Sequence, residues 1–226
     1  LQTDETIEQE FRYLFPPTHC DFYVSRIPSG REVSADTLSA MAGDMTAAAR
    51  LLPASIDFDV VAYGCTSGAS FIGAERVAEL IRAGCNVRHV TEPVTALRHA
   101  CEKRPIRTLA LVSPYVENVS ARLRAVLTAH GIETPAFGFF NEASEAKVAR
   151  ISPDSIIDAT VKLACTTDSD GLFLSCTNLK TLSVLNEIEA IVGRPVLSSN
   201  SVLGEHVHDL ADRTAASPGS PMRARH

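Results

Sequence analysis

The sequence predicts an α/β protein made of two pseudo-symmetric Rossmann-like halves, each a parallel sheet of about four strands flanked by helices, with the active site in the cleft between them. Three observations carry that reading. Short apolar runs alternate with helix-length segments from end to end, the pattern of strands that cross over through helices. The connections are short, as a compact α/β fold requires. One unit also occurs twice: Val60-Val-Ala-Tyr-Gly-Cys65-Thr66-Ser67 lines up with Gly171-Leu-Phe-Leu-Ser-Cys176-Thr177-Asn178, an offset of 176 − 65 = 111 residues. Gly84-Cys-Asn-Val-Arg-His-Val pairs with Gly193-Arg-Pro-Val-Leu-Ser-Ser at 193 − 84 = 109, so two copies of one α/β unit are implied.

In chain order, strands are expected at 60–63, 87–90, 108–112, 134–139, 171–174 and 196–198, after a first strand entering at Leu1. Helices are expected over 6–14, 36–52, 73–83, 94–103, 117–130, 153–164, 180–192 and 201–210. Pro93 restricts Glu92 to extended geometry and suits a first helical turn, and Gly84, Gly131 and Gly193 stand where a left-handed C-cap is needed. Residues 1–104 with 200–214 form the first half, 105–199 the second, and 215–226 a tail without apolar periodicity. Residue 1 is Leu and continues a strand-like run, so the natural start is expected upstream.

Composition narrows the function. With 226 residues, 45% of them apolar, the chain is long enough for real cores. Its net charge of −6 and singly scattered basic residues give no stripe for a phosphate backbone, so no nucleic-acid partner is expected. No apolar run approaches the roughly 18 to 20 residues that span a bilayer, and no signal segment opens the chain, so no membrane partner and a cytoplasmic location are expected. Six cysteines, at 20, 65, 85, 101, 165 and 176, form no Cys-x-x-Cys pair, which predicts neither a metal site nor a disulfide framework. No Gly-x-Gly-x-x-Gly or P-loop string follows a strand, so no cofactor is expected. His206 and His208 read as surface residues, and Glu8, Glu10 and Arg12 as a solvated helix face.

The chemistry sits in the duplicated turns. A cysteine at the carboxyl end of a strand, on the turn into a helix, lies where open parallel sheets bind ligands. A helix N-terminus there lowers a thiol pKa from about 8.5 to somewhere between ~3.5 and 7.5, which predicts thiolate at neutral pH. Thr66 and Ser67 in one turn, Thr177 and Asn178 in the other, supply donors for a carboxylate. Cys65 and Cys176 on opposite walls make the acid-base or nucleophile-acid pair that racemisation or reversible addition to an activated double bond requires. Gly64-Cys-Thr-Ser-Gly68 is not a serine-hydrolase elbow, since Thr66 holds the middle place.

The strings Gly64-Cys-Thr-Ser-Gly68, Val112-Ser-Pro-Tyr115, Leu174-Ser-Cys-Thr-Asn178 and Val196-Leu-Ser-Ser-Asn200 resemble maleate isomerase and arylmalonate decarboxylase, of the aspartate/glutamate racemase superfamily. The resemblance covers nearly the whole chain. It implies that Cys65 attacks an olefinic carbon, giving a succinyl-like thioether in which the central bond rotates, and that Cys176 takes part from the other face. It implies a substrate-binding role for Tyr115 and a carboxylate-binding role for Asn141, Thr66, Ser67, Thr177 and Asn178. It places Asp4 where isomerases carry a substrate-contacting asparagine, either as a ligand to a cationic or neutral group or as a helix N-cap. Decarboxylases of this superfamily have Gly where this chain has Cys65, which argues against decarboxylation. The expected function is a cofactor-independent, maleate-isomerase-like isomerase of a small carboxylic acid. The alternatives are an amino-acid or hydantoin-type racemase, including the ectoine-utilisation branch, and a carboxylate-binding protein without turnover. A homo-oligomer, dimer or tetramer, is expected from the resemblance alone.

Overall fold

The computed structural model describes residues 1–30 and 32–215. The predicted class holds: parallel sheets flanked by helices. In the first half β1 (Phe58–Ala62) pairs in parallel with β2 (Val87–Thr91), Phe58 opposite Val87 and Ala62 opposite Thr91. The crossover between them contains α3 (Thr66–Ile72) and α4 (Ala74–Arg82). In the second half β3 (Thr108–Ser113), β4 (Glu133–Phe139), β5 (Gly171–Leu174) and β6 (Val196–Ser198) form a parallel sheet in the order β4-β3-β5-β6. Its two central strands, β3 and β5, are covered on both faces, and Leu109, Leu111, Leu172, Phe173 and Leu174 are wholly buried. That explains why they read as unbroken apolar runs rather than alternating ones.

Helices cover these sheets. In the second half they are α6 (Glu117–Ala129), α8 (Pro153–Ala164) and α9 (Leu185–Val192), with the short α7 (Glu145–Val148) after β4. Around the first half lie α1 (Ile7–Leu14), α2 (Ala35–Ala49), α5 (Pro93–Lys103) and α10 (Ser199–Ala215), the last packing on α5 and β1. Pro93 and Pro153 stand in first turns. Gly131 and Gly193 have φ of 76° and 66°, the left-handed geometry expected of them. Gly84 serves close packing instead, because a Cβ there would stand 2.6 Å from both Ala49 Cβ and Thr46 O. No helix among the described residues is long and apolar enough to cross a membrane. The predicted tail lies, beyond Ala215, outside the described residues.

Several expectations are corrected. The first half has two strands among its described residues, not about four, and none forms at Leu1. There the Asp4 carboxylate accepts the N–H groups of Thr6 (2.8 Å) and Ile7 (2.9 Å), which turns the chain into α1 at once. The duplicated unit is real as two parallel pairs, β1 with β2 and β5 with β6, yet its two copies differ after the cysteine. Cys65 leads directly into α3, a helix absent from the expected elements, whereas α9 starts at Leu185 rather than 180. The intervening N–H groups of Thr181 and Leu182 are taken by the Glu10 carboxylate at 2.8 and 2.9 Å, so they turn toward α1 instead of opening a helix.

Glu10 is therefore not on a solvated face. It also accepts from the Asn200 amide at 2.7 Å, and burial raises its pKa against those three hydrogen bonds. His206 is buried too, its Nδ1 2.8 Å from the Thr91 hydroxyl, and desolvation, with His99 beside it, pushes its pKa down to about 4. His208 is exposed, as expected, and stacks on Phe15. Replacing Glu10 with Ala leaves two backbone donors and the Asn200 amide without their acceptor. The expected loss is about 2–3 kcal/mol, read as a lowered urea midpoint, and an unchanged midpoint would remove Glu10 as the anchor of α1.

Candidate active site

The carboxyl ends of β1, β3 and β5 and the loop after β4 converge on one small cavity of about 10 Å³. That is about the room that one water molecule takes, so a ligand enters only as these walls move apart. Of the residues singled out in the sequence, Asp4, Cys65, Thr66, Ser67, Tyr115, Cys176 and Thr177 line it, joined by Leu1 and Glu145. Two others do not. Asn178 lies just behind the wall, 1% exposed. Asn141 is exposed on the loop after β4, in left-handed geometry with φ of 57°, and the side chain that enters the cleft from that loop is Glu145.

Cys65 ends the β1 turn in extended geometry and caps α3, its Sγ accepting the Gly68 N–H at 3.2 Å. Only glycine fits at position 68, because a Cβ would lie 2.4 Å from the Tyr63 hydroxyl and 3.0 Å from the Cys65 Sγ. Cys176 follows β5 with φ of 123°, a strained value for a residue with a Cβ and the kind of outlier that gathers at functional sites. Its N–H donates to the Ser199 hydroxyl at 2.9 Å, and the same oxygen accepts from the Thr66 hydroxyl at 2.6 Å. One side chain at the start of α10 thus ties the two Cys-Thr turns together.

A second network runs through the cleft wall. The Tyr115 hydroxyl donates to Glu145 Oε1 at 2.9 Å and lies 3.0 Å from the Cys176 Sγ. With Glu145 ionised, the phenol gives its one proton to that carboxylate and the Cys176 S–H points at the Tyr115 oxygen. Glu145 Oε2 accepts from the Asn178 amide at 2.8 Å, and the Asn178 Oδ1 accepts the Glu5 N–H at 2.9 Å. Asn178 is therefore spent on positioning. Tyr115 is set by its Ser-Pro-Tyr turn, in which its N–H donates to the Ser113 hydroxyl at 3.3 Å. On the opposite side the Thr177 hydroxyl donates to Asp4 Oδ2 at 2.8 Å, so Asp4 turns the chain into α1, whose N-cap is Thr6, and faces the cleft at once.

The electrostatics overturn one expectation. Burial pushes the Cys65 thiol up to about 12, with the Gly68 N–H opposing, and raises Cys176 well above the ordinary thiol range, with Glu145 adding to the effect. One N–H and a seven-residue helix do not offset the removal of a thiolate from water. Burial likewise raises Glu145, opposed by its bonds from Asn178 and Tyr115, and Asp4 adds to the rise. Among the described residues no group of three His, Cys, Asp or Glu side chains could hold a metal. The sequence did not single out Glu145 or Ser199. The first sits in a polar stretch, Asn141-Glu-Ala-Ser-Glu145, where no pattern distinguishes one side chain from the next.

Paired Cys-Thr turns at facing strand ends of two α/β halves define a member of the aspartate/glutamate racemase superfamily. The chain belongs to the arylmalonate decarboxylase family, whose model matches residues 22–220. It is 30% identical to arylmalonate decarboxylase of Bordetella bronchiseptica over 134 residues, 59% of this chain. That match spans about half of the relative's length, 55%. A mutant of the Nocardia farcinica maleate cis-trans isomerase with a covalently bound succinylcysteine intermediate superposes with a TM-score of 0.83 at 22% identity, over 93% of this chain and 89% of that one. Unliganded arylmalonate decarboxylase gives 0.72 at 26% identity, over 93% and 86%.

Two outcomes follow. At pH 8 iodoacetamide is expected to alkylate exposed Cys165 at least about tenfold faster than Cys65 or Cys176, by peptide mass mapping, and equal rates would contradict the raised thiols. For Glu145 the folded pKa lies above the unfolded one, so its stability contribution is full below the unfolded pKa and is lost as pH rises through the folded value. Glu145→Gln escapes that loss. Its melting temperature relative to the unmodified protein is expected to climb between pH 4 and 8, and a constant difference would mean that the carboxyl ionises without penalty.

Proposed function

We propose that the chain is a cofactor-independent isomerase of a small carboxylic acid that works through Cys65 and Cys176. The observation that carries this reading is that both Cys-Thr turns line one enclosed space and share the Ser199 hydroxyl, so the two thiols act on one ligand. The Tyr115–Glu145 chain keeps a proton on Cys176, which makes it the acid, and leaves Cys65 as the nucleophile or base. In the maleate-isomerase manner, Cys65 loses its proton to solvent as the substrate binds, and the thiolate adds to an olefinic carbon while the neighbouring carbon takes the Cys176 proton. The resulting single bond rotates, Cys176 takes a proton back, and the thiolate leaves. The succinylcysteine intermediate named for the Nocardia protein supports covalent addition by a cysteine. The Ser67 hydroxyl and the first N–H groups of α3 hold the substrate carboxylate, while the Thr66 and Thr177 hydroxyls line the space with their protons given to Ser199 and Asp4.

A second reading, two-base racemisation with one thiol on each face of a stereocentre, uses the same geometry and is favoured by the acidic side chains in the cleft. Decarboxylation is disfavoured by Cys65, which stands where the decarboxylases have Gly. A cytoplasmic homo-oligomer with no nucleic-acid or membrane partner accompanies this proposal.

Proton NMR in deuterated buffer tests it, with maleate and a panel of chiral amino acids as substrates. Either fumarate or deuterium at a substrate carbon is expected with the unmodified protein, and Cys65→Ser and Cys176→Ser are each expected to slow it at least about a hundredfold. Turnover that survives both substitutions would contradict the cysteine mechanism, and ligand binding without turnover of any substrate would contradict the enzyme and leave a carboxylate-binding protein.

A further inference from the structure

Apart from its thiols and hydroxyls, the cleft is acidic. Asp4 and Glu145 are 3% and 5% exposed, and no Lys, Arg or His is among the described residues that line the space. The nearby cations are engaged outside it, Arg150 with Glu5 at 3.0 Å and Lys147 with Glu142 at 3.6 Å. Every hydrogen bond found on the two carboxyls comes from a neutral donor: Thr6 and Ile7 N–H and the Thr177 hydroxyl on Asp4, Tyr115 and Asn178 on Glu145. Such bonds orient a carboxylate without neutralising it, and proteins keep buried charges where a counter-charge meets them. The carboxyls are not an isolated acidic cluster, since they share an enclosed space with two thiols on facing turns.

We propose that the substrate of this cleft is a small zwitterion, a carboxylic acid that also carries a protonated nitrogen, with that nitrogen held by the Asp4 and Glu145 carboxylates and its carboxylate by the Thr66 and Ser67 side. The inference rests on the two-thiol reading of the site. A dicarboxylate would bring two negative charges against two buried carboxyls and two thiols that must give up protons. A protonated nitrogen has the opposite effect on both. It supplies the missing counter-charge, and it offsets the field of Glu145 that opposes ionisation of Cys65. With Glu145 held ionised, the Tyr115 proton stays on its carboxylate and the Cys176 proton stays on sulfur, so the bound cation also sets which thiol is the acid.

Calorimetry on the full chain at pH 7.5 with succinate and β-alanine tests this, because the two differ by a carboxylate in place of an ammonium. β-Alanine is expected to bind at least about tenfold more tightly than succinate, and Asp4→Asn with Glu145→Gln to reverse that order. Asn and Gln each keep one of the two oxygens, so the side chain at position 4 still accepts from Thr6 and Ile7 while the Thr177 hydroxyl turns to Gly64 O, residue 145 loses one of its two donors, and the melting curve of the double variant shows that it folds. Succinate binding as tightly as β-alanine or more so, no heat with β-alanine, or an order that survives the double substitution would overturn the proposal. The affinities are read without turnover, so their failure leaves the thiol pair standing with a dicarboxylate substrate. Failure of the cysteine variants to lose activity would strike only the mechanism.

Discussion

The hydrogen-bond chain from Asn178 through Glu145 and Tyr115 to the Cys176 sulfur is the arrangement on which the cleft depends. It joins the loop after β4, the turn after β3 and the turn after β5, three neighbouring strand ends of one sheet. It also places a carboxyl where burial opposes its charge, an arrangement that costs stability unless something in the cleft pairs with it. A protein selected for stability alone would do as well with an apolar or amide side chain at position 145. The penalty is intelligible as a functional one, stored at the site and offset by the core, where residues such as Leu97, Leu109 and Phe173 are wholly buried.

The duplication gives two thiols; the differences between the copies give them different surroundings. Cys65 is an extended N-cap whose sulfur takes one backbone N–H from α3. Cys176 sits in strained geometry, takes the Asn178 N–H at 3.3 Å, and meets a phenol backed by a carboxyl. Symmetry of fold with asymmetry of surroundings is what a pair of unlike catalytic groups needs, one to give a proton while the other takes or attacks. Ser199 holds the copies in register by bonding to Thr66 of one turn and Cys176 of the other.

Much of this was legible in the sequence. The Cys-Thr repeat gave both thiols and the facing turns, and the span of β5, β6 and α8 was read to the residue, because apolar runs bounded by Gly or Pro leave little choice of register. Elements whose partners lie far along the chain were not legible. Glu10 reads as solvated on its own helix and becomes partly buried and hydrogen-bonded only when residues 181 and 182 fold onto it. Asn141 and Glu145 are four residues apart in a loop, and which one enters the cleft is decided by α7 and by Asn178 and Tyr115, not by local pattern. The thiols' raised pKa values were equally hidden, since a helix terminus can be read from sequence and the depth of its burial cannot.

The account stands on Cys65 and Cys176 acting as one unit, and a double-mutant cycle on activity measures that directly. If they act together, removing either abolishes most of the rate, and Cys65→Ala with Cys176→Ala loses little more than the worse single variant. Losses that multiply, or one single variant that retains full activity, would contradict a shared reaction and return one of the cysteines to the role of a buried packing residue.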